Sequence, residues 1–113
     1  MHELSIAMSI LQIAREEADK IAAEKVSEIE VDIGQLAGIE IESLQFVFTS
    51  ACQSAMFNKC QLKLNVIPPS AKCNDCGSSF IPGALYGECP RCKSWNFTLL
   101  SGNELKVKSL LID

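Results

Sequence analysis

Four cysteines stand in two C-x-x-C pairs, Cys73–Cys76 and Cys89–Cys92, with twelve residues between the pairs. A C-x-x-C sits readily on a tight turn that points both sulfurs at one ion. Two such knuckles together make a closed tetrahedral thiolate site suited to Zn(II). Gly77 directly after the first pair and Pro90 inside the second fit such turns. Four thiolates leave no open coordination position, so the expected metal is structural and not catalytic. A thioredoxin-like redox pair needs one C-x-x-C opening a helix in a βαβ context, which two pairs at this spacing fit poorly. An iron–sulfur cluster is also held by four thiolates and stays open at this level. The other two cysteines, Cys52 in a helical pattern and Cys60 opening a strand, read as small buried hydrophobes.

The single histidine is His2. A lone histidine is usually a surface or satisfied core residue, but its position changes that reading. Initiator Met is normally retained before a large residue, so the mature chain is expected to begin with the free amine of Met1. That amine, the His2 backbone nitrogen and the His2 Nδ1 can close adjacent chelate rings around one metal. The Glu3 amide or carboxylate can complete a square. Such a tetragonal N/O set suits Ni(II) or Cu(II), whereas Zn(II) prefers the thiolates. A helix starting directly afterwards opposes the cation with its dipole, so nearby carboxylates must offset it.

The elements that position these groups follow from periodicity. Leu4, Met8, Leu11, Ala18, Ile21 and Ala22 recur at helical spacing, and Ile6, Ile10 and Ile13 widen the stripe. Ile29, Val31 and Ile33 then alternate with Glu28, Glu30 and Asp32, as in a strand with one buried face. Gly34 and Gly38 bracket a turn, and a second helical pattern runs through Leu44, Phe46, Val47, Phe48 and Ala51 to end near Asn58. Leu62, Leu64 and Val66 mark a second strand, stopped by Pro68-Pro69. In the tail Leu105 and Val107 share one phase, and Leu110 and Ile112 the other. A bulge near Ser109, or a strand end buried on both faces, would reconcile them.

The expected fold is therefore α+β, two helices packed on a three-stranded sheet. The last strand follows the cysteines, so the cysteine region is an inserted zinc-ribbon-like module with four thiolate ligands. The boundaries are 1–69 plus 100–113 for the main domain and 70–99 for the insertion. A main core of roughly 80 residues is only marginally stable alone, which makes a homodimer compatible with the sequence. A module of only ~30 residues cannot bury enough apolar surface to fold unaided, so metal binding has to supply the missing free energy.

Composition excludes several classes. The chain has 113 residues, 48% of them hydrophobic and 21% charged, so wholesale disorder is not expected. Its longest apolar runs are far too short to span a bilayer, and Met1-His2-Glu3-Leu4 lacks the basic start of a signal peptide. A cytoplasmic protein with no membrane partner is therefore the expectation. Residues 1–69 carry ten carboxylates against five basic groups, which opposes nucleic-acid binding. The alternative function, a zinc-ribbon nucleic-acid-binding or adaptor module, has rings available in Phe80, Tyr86, Trp95 and Phe97 but lacks the charge. Those rings are expected to pack inside the small module. An enzyme is not expected, because no Ser/His/Asp set is available with one terminal histidine and no Gly-rich phosphate loop is present.

Several features together resemble the HypA/HybF family of hydrogenase-maturation nickel metallochaperones. They are Met1-His2-Glu3 at the start, Gly34 closing the first strand, Glu40 opening the second helix, Cys89-Pro90-x-Cys92, and Gly102-Asn103-Glu104-Leu105. Element order and length agree from end to end. The resemblance implies Ni(II) bound at the N-terminus as cargo and passed to the [NiFe]-hydrogenase large subunit. It also implies a partner GTPase, HypB, and for some members a role with urease. On this resemblance His2 carries over as the nickel ligand, with Glu3 and the Met1 amine beside it. Glu40 matches a position where relatives carry an acidic residue near the nickel, some of them Asp. Cys73, Cys76, Cys89 and Cys92 carry over as zinc ligands. Some relatives have histidines flanking the cysteine pairs. Here the neighbours are Asn74, Asp75, Arg91 and Lys93, so no histidine-based switching is expected.

Overall fold

The computed structural model describes residues 2–82 and 87–113. The elements run α1 (Glu3–Lys20), β1 (Val26–Gly34), α2 (Ile41–Ala51), a 3-10 turn (Ala55–Phe57), β2 (Gln61–Ile67), β3 (Ser70–Cys73), β4 (Ser79–Phe80), β5 (Phe97–Ser101) and β6 (Leu105–Ile112). Among these residues two sheets form, one ordered β2-β1-β6 and the other β4-β3-β5. The chain is α+β, as its periodicities indicate. It divides into two compact units: Met1–Asp32, Ile39–Asn65 and Lys106–Asp113 in the first, Ile33–Gly38 and Val66–Leu105 in the second. The expected insertion at 70–99 lies within the second unit, which also takes in 33–38, 66–69 and 100–105.

In the first unit α1 packs on α2. The buried face of α1 is Glu3, Ala7, Ile10, Leu11, Ala14 and Ala18, a stripe at three- and four-residue spacing. This corrects the expected face, since Leu4, Met8 and Ile21 are more than half exposed. Small alanines let the helix backbone approach its neighbours, so the larger apolar residues one position away are turned outward. Leu44 and Phe48 from α2 and Val26, Ile29 and Val31 from β1 complete the core. α1 closes with the Ala22 and Ala23 amides donating to Asp19 O (3.1 Å) and Ala18 O (2.9 Å), while Ala22 takes φ 54°. This paired closure usually places glycine at the left-handed residue. Ile21 and Ala22 therefore lie past the helix and do not extend its face.

α2 also stops short of the expected end near Asn58. The Cys52 amide makes the last bond of the helix, to Phe48 O at 3.1 Å. Ser54 is extended (φ −89°, ψ 160°), and Arg15 Nη2 donates to its hydroxyl at 3.0 Å. On β1, residues Val26, Ile29, Val31 and Ile33 are fully buried. On its other face Asn65 Nδ2 donates to Glu30 Oε2 (2.7 Å) and Asp32 Oδ1 (3.0 Å). In β6, Val107, Leu110 and Ile112 are half-buried while Leu105 and Leu111 are exposed. The buried phase therefore changes after Val107, and the strand end is not buried on both faces. Among the described residues, no helix is long and apolar enough to cross a membrane.

The second unit is organised around a close backbone approach. The Gly34 amide donates to Glu104 O at 2.7 Å, Gln35 to Ile67 O at 2.9 Å and Leu36 to Gly102 O at 2.5 Å. These bonds hold the 33–38 turn against both connections of the cysteine region. A Cβ on residue 34 would lie 2.2 Å from the backbone C and O of Gly102, which no side-chain rotation relieves. Only glycine fits there, for want of space and not for φ. Gly34→Ala should accordingly destabilise the protein by at least about 2 kcal/mol. Urea unfolding of the metal-loaded protein reads this, and an unchanged midpoint would contradict the close approach.

Candidate metal sites

The second unit brings Cys73, Cys76, Cys89 and Cys92 together, with all four sulfurs within 4.8 Å of one another. Two separations are 3.5 Å (Cys73–Cys92) and 3.6 Å (Cys76–Cys89). A tetrahedral ion with metal–sulfur bonds of ~2.3 Å needs sulfurs about 3.8 Å apart, so the donor set fits a single tetrahedral metal. Cys73 and Cys89 are buried, whereas Cys76 and Cys92 are exposed. The first cysteine of each pair thus faces the interior and the second faces solvent.

The two knuckles repeat a pattern, C-N-D-C-G-S and C-P-R-C-K-S, that extends beyond the cysteine spacing. In the first, the Cys73 amide donates to Ser78 O (2.8 Å) and the Gly77 amide to Cys73 O (3.0 Å). In the second, the Cys89 amide donates to Ser94 O (2.8 Å) and the Lys93 amide to Cys89 O (2.8 Å). Gly77 and Lys93 occupy equivalent left-handed positions, φ 78° and 66°. The Ser78 hydroxyl lies 3.3 Å from Cys76 Sγ. Ser78 donors, hydroxyl first and amide second, favour the Cys76 thiolate and lower its pKa to about 6. At Cys92 the Ser94 amide also favours the thiolate. Hydrogen bonding among the crowded sulfurs, Cys73 foremost, together with desolvation outweighs it and pushes this thiol up to about 12. The Ser94 hydroxyl is engaged instead with Asp75. Without metal, Cys76 therefore ionises readily and Cys92 holds its proton.

The packing of this unit departs from expectation in its aromatic residues. Phe80 and Phe97 meet edge to face with ring centres 5.5 Å apart. Trp95 is 65% exposed and does not pack inside the module. Tyr86 lies outside the described residues.

The first unit places the other predicted group. Met1 lies outside the described residues. His2 is exposed and precedes α1, its carbonyl accepting the Ile6 amide at 3.0 Å. Glu3 opens α1 and is only 8% exposed. Its Oε2 accepts the backbone N–H of Glu40 at 3.3 Å, so the start of α1 and the cap of α2 meet at this carboxylate. Glu40 itself is exposed and gives α2 no side-chain cap. The Glu40 amide, before all else, holds the Glu3 carboxyl below the usual range. Beside it lies a hollow of about 360 Å³ lined by Glu3, Leu4, Glu42, Ser43, Phe46 and Val47. Sequence reasoning missed Ser78, Ser94 and Lys93, although the repeated C-x-x-C-x-S carries the signal for the serines. It also missed the outward turn of Leu4 and Phe46.

These features define an α+β protein with a four-thiolate metal module and an acidic, histidine-bearing N-terminus. The family model described as hydrogenase/urease nickel incorporation, metallochaperone, hypA matches residues 1–112, and the chain belongs to that family. It is 41% identical over 112 residues to the hydrogenase maturation factor HypA of Parabacteroides distasonis, covering 99% of this chain and 97% of that one. Identity to the hydrogenase maturation factor HypA of Chlorobaculum parvum is 36% over 113 residues, with both chains fully covered. Among solved structures it is similar to the Ni metallochaperone HypA from Helicobacter pylori, with TM-score 0.71, 30% identity, and coverage of 99% of this chain and 97% of that one.

Two outcomes follow from the geometry. A non-glycine residue in the left-handed region costs roughly 1–2 kcal/mol. The ion pair that Lys93 makes with Glu88, 3.8 Å and exposed, returns less than about 1 kcal/mol. Lys93→Gly should therefore stabilise the metal-loaded protein by about 1 kcal/mol, measured by urea denaturation, and a loss of stability would count against the equivalence of the knuckles. For Glu3, a folded pKa below the ordinary value means stability present above that value and lost as pH falls through the folded one. Wild type should thus lose stability more steeply than Glu3→Gln below about pH 4.5. Parallel acid-unfolding curves for the two would remove the Glu3–Glu40 link.

Proposed function

We propose that this protein is a nickel carrier that binds Ni(II) at its N-terminus and delivers it during maturation of [NiFe]-hydrogenase. The observation that carries the reading is the full-length family match together with the exposed His2 beside the buried Glu3 carboxylate at the start of α1. The nitrogen donors are the Met1 amine and the backbone and imidazole nitrogens of His2, with Glu3 completing the set. Helix formation leaves the first backbone N–H groups of α1 without intrahelical partners, so the nitrogen needed from His2 is not consumed by the helix. Glu3 and Glu40, neighbours through their hydrogen bond, supply negative charge against the unfavourable field of the helix start. Glu40 contributes mainly in this way, since one carboxylate already sits in the first turn of α1.

The Cys73, Cys76, Cys89 and Cys92 set holds Zn(II), a resident ion that supplies folding energy and leaves no open position for chemistry. On this reading 70–99 is an insertion in a domain made of 1–69 and 100–113. The protein acts by binding and release, without turnover, in the cytoplasm. Its partners are the HypB GTPase and the hydrogenase large subunit, and the description of the family extends the same delivery to urease.

The test is nickel titration of zinc-loaded protein with a native start, followed by calorimetry and by the d–d absorption of the metal. One Ni(II) per chain should bind beyond the zinc. His2→Ala, or one residue added before Met1, should abolish that binding, and acid should weaken it as the amine and imidazole take up protons. Unchanged nickel binding by the extended protein would disprove the terminal chelate.

A further inference from the structure

Two cysteines remain that the metal sites do not use. Cys52 ends α2 and Cys60 precedes β2, and both line one cavity of about 320 Å³ together with Gln45, Phe48, Thr49 and Leu62. The two elements are tied across this cavity, where Gln45 Nε2 donates to Leu62 O at 3.2 Å. The intervening loop is pinned as well. Phe57 is buried beneath the Arg15 guanidinium, 5.5 Å from its ring centre, and the Cys60 amide donates to Phe57 O at 3.0 Å. Lys59, left-handed at φ 62°, turns the chain so that Cys60 enters the wall. Cys52 is half-buried and Cys60 buried.

We propose that Cys52 and Cys60 form a thiol pair that closes into an intramolecular disulfide by exchange with a low-molecular-weight disulfide. The more exposed Cys52 reacts first. Its thiolate attacks one sulfur of the small disulfide, forming a mixed disulfide and expelling one small thiolate. The Cys60 thiolate then attacks Cys52 Sγ, the mixed disulfide breaks, and the second small thiolate leaves. Both protein thiol protons pass to the two released thiolates, so the protein is oxidised by two electrons and the reagent reduced by two.

The surroundings favour this outcome over a retained anion. Burial pushes the Cys60 thiol up to about 11, with the Cys52 sulfur and the Glu28 carboxylate adding to the effect. Burial also raises Cys52. A wall that disfavours two thiolates favours a neutral product, and a disulfide is neutral and apolar. Closure staples the end of α2 to the start of β2 and removes freedom from the 53–59 loop.

Metal-loaded wild-type protein treated with glutathione disulfide and mapped by mass spectrometry tests this, with metal content followed in parallel. Trypsin cuts after Lys59, between the two cysteines, so a Cys52–Cys60 bond appears as two linked peptides. The expected result is that linkage, with two equivalents of glutathione released and the metal retained. Cys60→Ser should stop at glutathionylated Cys52, and Cys52→Ser should leave Cys60 unmodified. The wild-type map decides by itself if either variant fails to fold. A persistent glutathione adduct on Cys52 in wild type would overturn the proposal. So would two free thiols with the metal retained, or a bond from either residue to Cys73, Cys76, Cys89 or Cys92.

Discussion

Four sulfurs held within 4.8 Å of one another set the terms for the second unit. As thiolates, each pair about 4 Å apart repels by on the order of 4 kcal/mol at an effective dielectric near 20. The Ser78 hydroxyl and amide and the Ser94 amide act against that at Cys76 and Cys92. Without metal, the Ser78 donors lower the Cys76 pKa to about 6, whereas hydrogen bonding among the sulfurs and desolvation push Cys92 up to about 12. A divalent cation removes the repulsion and replaces the protons at once. The buried apolar residues of this unit are few, with Ala71, Cys73 and Cys89 prominent among them. Its small antiparallel sheet, in which Ala71 pairs with both Phe80 and Leu99, thus has little apolar core to rest on, the situation in which a metal supplies folding free energy.

The same economy explains why the two knuckles match in backbone but not in side chains. Each needs a left-handed residue after its second cysteine, so that the next amide can turn back to the sulfur. Glycine meets that need at position 77, and at 93 a lysine accepts strain in the same place. The serines that follow serve alike through their backbones and differ through their hydroxyls, one beside Cys76 and the other on Asp75. Four cysteines of one residue type thus become unequal, two buried and two exposed, with the exposed pair in different electrostatic settings.

What was legible in the sequence was whatever depends on spacing along the chain. The cysteine pairs, the order of helices and strands, and the buried alternation of Ile29, Val31 and Ile33 all follow from local periodicity. The outward turn of Leu4 and Met8 was not legible, because it depends on Ala7, Ala14 and Ala18 permitting a close approach that larger residues would block. The end of α2 was missed for a related reason, since Arg15 holds Ser54 extended from a distant helix. Trp95 lies outside the small core, where Phe80 and Phe97 make the edge-to-face contact, and ring type alone does not say which rings pack. Gly34 could be seen as a strand terminator. Its role as the point where the backbone passes Gly102 is a property of two segments far apart in sequence.

The N-terminal region turns on one carboxylate with two demands upon it. Glu3 sits in the first turn of α1, where the helix field favours an anion, and accepts the amide at the cap of α2, where a second helix field does the same. Two positive helix ends at one point would repel any cation bound to His2, and a neutral residue at position 3 would leave that repulsion intact. An ionised Glu3 cancels part of it, and the lowered pKa keeps the group ionised as the pH falls. Its position therefore places a negative charge where the two helix starts meet, with one oxygen engaged by Glu40 and the other free of that bond. Loss of Glu3 would weaken the junction of the two helices and leave the field of both helix starts uncompensated, whereas His2 is exposed and lies outside the core.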